Sequence, residues 1–380
     1  MKKIVFITGT RADFGKLKSL IHVVADSDDF EYSIFATGMH MLYRYGMTVE
    51  EIHKAGFTNI FTYMNQVHGE PMEMVLANTI TGLSRYLHEY RPDMLIVHGD
   101  RVEAMAGAIS GALRNILVGH VEGGELSGTI DDLIRHSVTK LAHIHFVANR
   151  EAENRLLQLG EQPETIHIIG SPDIDVMLSN DLPDIQEVRE YYDIPYKSYV
   201  LVLYHPVTTE LDSLAENVRE LVDSIIEYDM NYVVIYPNND SGSEHIFNEY
   251  ERLGARENIR IFPSLRFEYF LTLLKNARFI LGNSSAGIHE APVFGIPSVN
   301  IGSRQKDRFS YCSIINVGNT RAEILDGMER AEKNGVFEPS SFFGIGKSAE
   351  KFLDVIQKGS LWKTPKQKNF QNISFSSPES

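Results

Sequence analysis

Residues 93–136 hold the densest set of groups able to move protons. An apolar run at Met94–Val97 leads into His98 and Asp100, and a second run, from Ile116, leads into His120, Glu122 and two glycines. A further acidic pair, Asp131 and Asp132, opens a stretch of helical periodicity. In an open parallel sheet the ligand sits beyond the carboxyl ends of the strands. Two strands that each deliver a His-x-acid pair to that edge would gather four titratable groups in one crevice, an arrangement suited to proton transfer. The same side chains offer nitrogen and oxygen ligands to a metal. They also fit a structural reading, with histidines buried and hydrogen-bonded to neighbouring acids. For any single residue that reading competes; for the set it weakens, because the pattern recurs at two strand ends. Asp131 and Asp132 carry one more alternative. Acids in a helix's first turn are favoured by its dipole, and Thr129 with Asp132 has capping-box spacing.

The second half of the chain offers a different chemistry. In GNSSAGIHEAPVFGIP a strand ends at Gly282 and a helix opens at Ser284 or Ser285. Free backbone amides, two hydroxyls and a glycine at 287 make a diphosphate site in form. Glu290, one turn on, could bond a ribose diol. The bland alternative is that Ser284 and Ser285 are ordinary caps and Glu290 complements the dipole; the strand-end location favours ligand binding. His205 and Asn238 end the first two strands of this half, and Arg304 follows the last. Near the N-terminus, Arg11 lies in the turn GTRADFG, which is neither a Walker loop nor GxGxxG, and His40 sits just past the second strand.

The elements that must position these groups alternate. Lys3–Thr8, Tyr32–Thr37, the runs at Met94 and Ile116, His143–Ala148 and Thr165–Ile169 read as strands, with helical periodicity between them. The pattern restarts at Tyr199–Tyr204 and runs to a strand at Ser298–Ile301. This implies an α/β chain of two Rossmann-like parallel-sheet domains facing a cleft. The expected boundaries are 1–175 for the domain carrying the acids, 176–362 for the diphosphate-binding domain and 363–380 for a polar, frayed tail, with a hinge near Gly170–Asp184.

Composition narrows the partners. The chain has 380 residues, a formal net charge of −15 and one cysteine, Cys312. A long phosphate polymer would be repelled, so no nucleic-acid partner is expected. One thiol excludes a disulfide framework and suits the reducing cytoplasm. No apolar stretch approaches the ~20 residues of a membrane span.

Several segments together resemble the UDP-N-acetylglucosamine 2-epimerases, in particular the hydrolysing branch of bacterial sialic-acid biosynthesis. They are GTRADFGKL, VHGDR, GHVEGGELSGTIDD, LYHPVTTE, YPNNDSGS and GNSSAGIHEAPVFGIPSVNIGSRQ, and they run from the first strand to about residue 320. Non-hydrolysing relatives typically open with GTRPE, where this chain has Ala12 and Asp13, and they carry a different acidic loop in place of GGELSGTIDD.

The resemblance implies a glycosyltransferase-B type fold with the site between the domains. It also implies conversion of UDP-N-acetylglucosamine and water to N-acetylmannosamine and UDP, by elimination to a glycal and hydration with inversion at carbon 2. Asp100, Glu122 and Asp131 match the family's catalytic acids. Arg11, His205, Asn238, Gly282, Ser284, Ser285 and Glu290 match UDP-binding positions, and His40, His98, His120 and Arg304 are candidates near the sugar. His98 and His120 are expected to orient other groups. No cofactor or metal is implied, and a homo-oligomer, dimer or tetramer, is. The rivals are a non-hydrolysing epimerase, a hydrolysing epimerase of a modified UDP-amino sugar, a glycosyltransferase of the same fold, a metal-dependent hydrolase and a non-catalytic nucleotide-sugar binder.

Overall fold

The computed structural model describes residues 1–127, 130–254 and 256–372. It contains two parallel sheets. The first has seven strands, β1 (Lys2–Thr8), β2 (Phe30–Ala36), β3 (Ile60–Thr62), β4 (Met94–His98), β5 (Leu117–Val121), β6 (Ile144–Val147) and β7 (Ile166–Ile168), in the order β3-β2-β1-β4-β5-β6-β7. The second has six, β8 (Val200–Leu203), β9 (Tyr232–Ile235), β10 (Ile259–Phe262), β11 (Ile280–Gly282), β12 (Ser298–Ile301) and β13 (Ile314–Val317), in the order β10-β9-β8-β11-β12-β13. The central strands are buried on both faces. That is why they read as unbroken apolar runs rather than as alternation. Each order reverses at its first strand, β1 or β8, and this switch point is where a doubly wound sheet opens a crevice.

Register fixes which groups leave the first sheet together. Val97 pairs with His120, and His98 with Val121. The chain therefore emerges from β4 and β5 at the same height, carrying Asp100 and Glu122. The first helix starts at Arg11, earlier than its apolar periodicity alone indicates. Thr10 caps it and Asp13 reaches back in a full capping box, a local device that outweighs the apolar stripe in setting the boundary. The segment after β11 is not one continuous helix. Ser285–Gly287 form a single 3-10 turn, and a four-residue helix begins at Glu290. The Thr129 cap lies outside the described residues; in the neighbouring described segment, Asp132 accepts a hydrogen bond from the Ser127 amide at 2.8 Å.

The chain crosses between domains twice. It leaves the first domain through Gly170 and Ser171 and returns through Phe343 and Gly344. The crossings lie against each other: the Ser171 amide donates to Phe343 O at 2.7 Å, and Ser348 Oγ to Ser171 O at 3.0 Å. Asp175 then accepts from the amides of Ser348 and Ala349, at 2.8 and 2.7 Å, and so caps the helix Ser348–Ile356. That helix packs on the first sheet. Phe352, Val355, Ile356 and Leu361 join Ile4, Phe6 and Phe146 in one core. Residues 348–362, assigned above to the second domain, thus pack with the first, because their apolar face completes the first core. The tail departs from the frayed segment expected of it, as far as residue 372. Lys368 Nζ donates to Thr139 O and Ala142 O at 3.2 and 2.6 Å, meeting carbonyls at the end of the helix Ile130–Leu141, and also pairs with Glu161. A lysine is favourable at a helix C-terminus. Among the described residues no helix is long and apolar enough to cross a membrane.

Candidate active site

The carboxyl edges of the two sheets face one crevice. Its lining draws on β4, β5 and the helix Ile130–Leu141 of the first domain, and on the ends of β8, β9 and β11 of the second. On the first-domain side Asp100 pairs with Arg135 Nη2, while Nη1 of the same guanidinium donates to the Glu122 carbonyl. One arginine therefore fixes a side chain after β4 and a backbone turn after β5. Burial pushes the Asp100 carboxyl up, but Arg135, with Arg308 and Arg304 beyond it, more than offsets this and holds it below the usual carboxylate range. Arg135 lies one helical turn after Asp131, on the same face.

Glu122 is the most constrained acid. Its backbone is left-handed, φ 61°, which strains a residue bearing a Cβ by roughly 1–3 kcal/mol. Its carboxylate accepts from Ser171 Oγ in the crossover. It faces His98 Nε2 at 3.1 Å, in ion-pair rather than linear hydrogen-bond geometry, and the Lys16 ammonium at 3.7 Å. Burial raises its pKa, yet Lys16 and His98 bring it well below normal. His98 moves the other way: burial lowers it, but Glu122 raises it past the ordinary imidazole value. Asp131 pairs across the crevice with Arg304 at 3.3 Å. The first-domain side thus presents carboxylates held ionised by cations, beside one histidine biased toward its charged form.

Across the crevice, His205 accepts the Asn238 amide at Nδ1, 3.1 Å. That bond places the imidazole proton on Nε2, as a donor. Burial, then Arg304 and Arg101, keep the ring neutral. The Asn238 side chain donates to Asp240 at 2.6 Å. Ser284 and Ser285 line the crevice. The turn spends its own amides, however: Gly287, Ile288 and His289 bond back to Ser284 and Ser285, and Ala286 donates to Ser284 Oγ. The amide cradle expected from the sequence is therefore smaller. The polar side chains that line the crevice on this side include those of His205, Ser285, Arg304 and Arg308, with Arg11 opposite. Arg11 Nε is buried and has no hydrogen-bond partner among the described residues.

Three of the expected residues stand off the crevice. His40 is buried between Thr8 Oγ1 and Thr48 Oγ1, at 3.0 and 2.8 Å, and burial lowers it to about 4. His120 is engaged at both nitrogens, by Thr139 Oγ1 and the Gly99 carbonyl, and burial lowers it to about 3. Neither ring is free to meet a sugar or to ligate a metal. Gly282 lets β11 approach β8: a Cβ there would fall 1.9 Å from Leu203 O.

The residues that sequence reasoning passed over are Lys16, Arg135, Arg308, Glu125 and Asp173. Lys16 touches Glu122, Asp173 and Glu290 at 3.7, 3.2 and 3.5 Å, so one ammonium joins both domains. Glu290 faces this ammonium, with Oε2 buried and unbonded, and burial pushes it up. Glu125 meets His289 and Arg308 of the second domain at 3.0 and 3.3 Å. Two signals were available. Arg135 is i+4 from Asp131 and Arg308 is i+4 from Arg304. Nothing in the spacing of Lys16 or Asp173 pointed inward.

Comparison with known proteins is consistent with this architecture. Residues 22–357 match the family model described as UDP-N-acetylglucosamine 2-epimerase. The chain is 48% identical to a UDP-N-acetylglucosamine 2-epimerase of Neisseria meningitidis serogroup B, covering 98% of this chain and all of that one. It is 33% identical to a hydrolysing UDP-N,N'-diacetylbacillosamine 2-epimerase of Legionella pneumophila, over 94% and 96% of the two chains. A Methanocaldococcus jannaschii UDP-N-acetylglucosamine 2-epimerase, solved with UDP-N-acetylglucosamine and UDP, superposes with a TM-score of 0.81 over 93% of this chain and 99% of that one; at 22% identity this shows a shared fold.

Proposed function

The chain belongs to the UDP-N-acetylglucosamine 2-epimerase family, and from that premise we propose that it is the hydrolysing kind, converting UDP-N-acetylglucosamine and water to N-acetylmannosamine and UDP. The observation that carries the reading is the division of the crevice. Ionised acids held by Arg135, Lys16 and Arg304 line one wall, and the neutral donor His205 with Ser285 and Arg308 lines the other. A sugar placed between them has bases at its ring and donors at its diphosphate.

The reaction runs in two balanced steps. A carboxylate removes the proton at carbon 2, the carbon 1–oxygen bond breaks, and its electron pair leaves on the UDP β-phosphate, giving a glycal. Water then adds its oxygen to carbon 1 and gives one proton to a carboxylate, while an acid protonates carbon 2 from the opposite face. The departing charge meets Arg11, His205, Arg304 and Arg308, preorganised donors of the kind that stabilise a developing anion. Asp100 and Glu122, both held as carboxylates, suit the base. His98, biased toward its protonated form beside Glu122, suits the return. The GGELSGTIDD segment and the likeness to a hydrolysing enzyme at 33% identity support hydrolysis, and the motif resemblance supports reading N-acetylmannosamine as a precursor for sialic acid synthesis.

A second reading keeps the chemistry and changes the sugar, since that relative acts on UDP-N,N'-diacetylbacillosamine. The deciding experiment is incubation with UDP-N-acetylglucosamine in deuterated water, followed by NMR. Free N-acetylmannosamine carrying deuterium at carbon 2, with stoichiometric UDP, is expected. Accumulation of UDP-N-acetylmannosamine, or a product without deuterium, would sink the proposal; turnover confined to the diacetylated sugar would select the second reading.

A further inference from the structure

One buried acid has no place in the chemistry above. Asp173 lies in the crossover helix Pro172–Met177, fully buried. Neither carboxylate oxygen has a hydrogen-bond partner among the described residues; the near contact is Lys16 Nζ at 3.2 Å. An acid in the first turn of a helix is often there for the dipole or the cap. Asp173 accepts no backbone amide, and the capping work nearby is done by Asp175 for a different helix. A buried carboxylate without donors lowers stability unless its charge is used.

The surroundings indicate the use. Lys16 is ringed by Asp173, Glu122 and Glu290, so three carboxylates share one ammonium in the crevice wall. The ammonium sits nearest Asp173, the one acid of the three that does not line the crevice. Without Asp173 it could swing fully onto either of the others. With Asp173 it stays between them, one from each domain.

Resting on the proposed epimerase reading, we infer that Asp173 is a positioning residue: its carboxylate pins the Lys16 ammonium midway between Glu122 of the first domain and Glu290 of the second. The ammonium then stabilises Glu122 as a base without capturing it in a tight pair. The groups that share this field are Lys16, Glu122, Glu290, Glu125, His98, His289 and Asp175. Removing one negative charge makes every remaining proton in the set easier to lose.

The test compares Asp173→Asn with the parent enzyme. The expected result is a fall in kcat of about tenfold or more, with KM within about threefold, and a kcat–pH profile displaced to lower pH. The melting temperature should not fall, because the substitution relieves excess charge, and its difference from wild type should grow from about pH 5 to about pH 8. A wild-type kcat with an unmoved profile would overturn the inference, as would a melting-temperature difference that is flat or shrinks over that range. If Asp173→Asn does not fold, Asp173→Glu keeps the charge but moves it, and should lower kcat with the profile in place; wild-type kcat there would equally overturn it. Absence of turnover by the wild type would refute the epimerase reading instead, and the melting curves would still decide Asp173.

Discussion

Replacing Arg135 by methionine keeps the volume of the side chain and removes its charge and donors. Arg135 is buried and holds Asp100 through one nitrogen and the Glu122 carbonyl through the other. Deleting one partner of a buried pair costs about 3–5 kcal/mol. The Asp100 side chain is 23% exposed, so water can take over part of the lost solvation, and the lower end, about 3 kcal/mol, is expected at pH 7. The sign with pH follows from the depressed Asp100 pKa. Stability from a depressed carboxyl is present above its unfolded pKa and is lost as pH falls through its folded one. Denaturation curves of wild type and Arg135→Met should therefore lie far apart at neutral pH and converge in acid. In the variant Arg308 and Arg304 are left to oppose burial without Arg135, so the Asp100 pKa rises, and the Glu122 turn loses its donor. We expect kcat to fall by about 10² or more, with its acid limb moved to higher pH, while UDP affinity stays within about threefold. Urea melts at two pH values, kcat–pH profiles and UDP calorimetry read all three. A variant whose stability gap is the same in acid as at neutrality, or whose acid limb does not move, would refute the reasoning.

Asp100→Asn and Glu122→Gln should each keep UDP binding by calorimetry and lose turnover; wild-type rates in either would remove that residue from the mechanism. His205→Ala should weaken UDP about tenfold, the loss of one good donor, and unchanged titration would exclude it from the diphosphate site. Phe352→Ala should destabilise the protein by about 3–5 kcal/mol, because the ring is fully buried and packs on Phe146 at 4.7 Å. A change below about 1 kcal/mol in urea titration would contradict the core described here.

The central strands were legible because they are buried on both faces and therefore apolar without interruption; β3 and β13, short and partly exposed at the sheet edges, went unread. Asp100 and Glu122 were legible as a pair for the same reason: each follows the end of such a run, and parallel register brings the ends level. What was not legible depends on contacts between distant segments. The helix Ser348–Ile356 has an ordinary amphipathic pattern, and nothing in that pattern says which sheet it covers. Lys16 reads as one more lysine in a first helix, and Asp173 as one more acid in a helix's first turn; only the folded chain brings them together. His40, and His120 as a sugar contact, are the opposite case. Both follow or end strands, where functional groups gather, yet local hydroxyls and a carbonyl consume their nitrogens.

The double crossing has a consequence for the order of synthesis. The first domain's core is finished by Phe352, Val355, Ile356 and Leu361, which leave the ribosome after every residue of the second sheet. At about 5–20 residues per second, the interval between the two crossings is on the order of ten to thirty seconds. During that time the face of β1 and β6 that Phe352 will cover stays open to solvent or to a chaperone. The amino-terminal domain therefore cannot mature as an independent unit while the chain is being made. A premature stop shortly before residue 348 would leave both sheets complete and still deprive the earlier one of its cover, so damage at the carboxyl end would surface as aggregation of the domain made first.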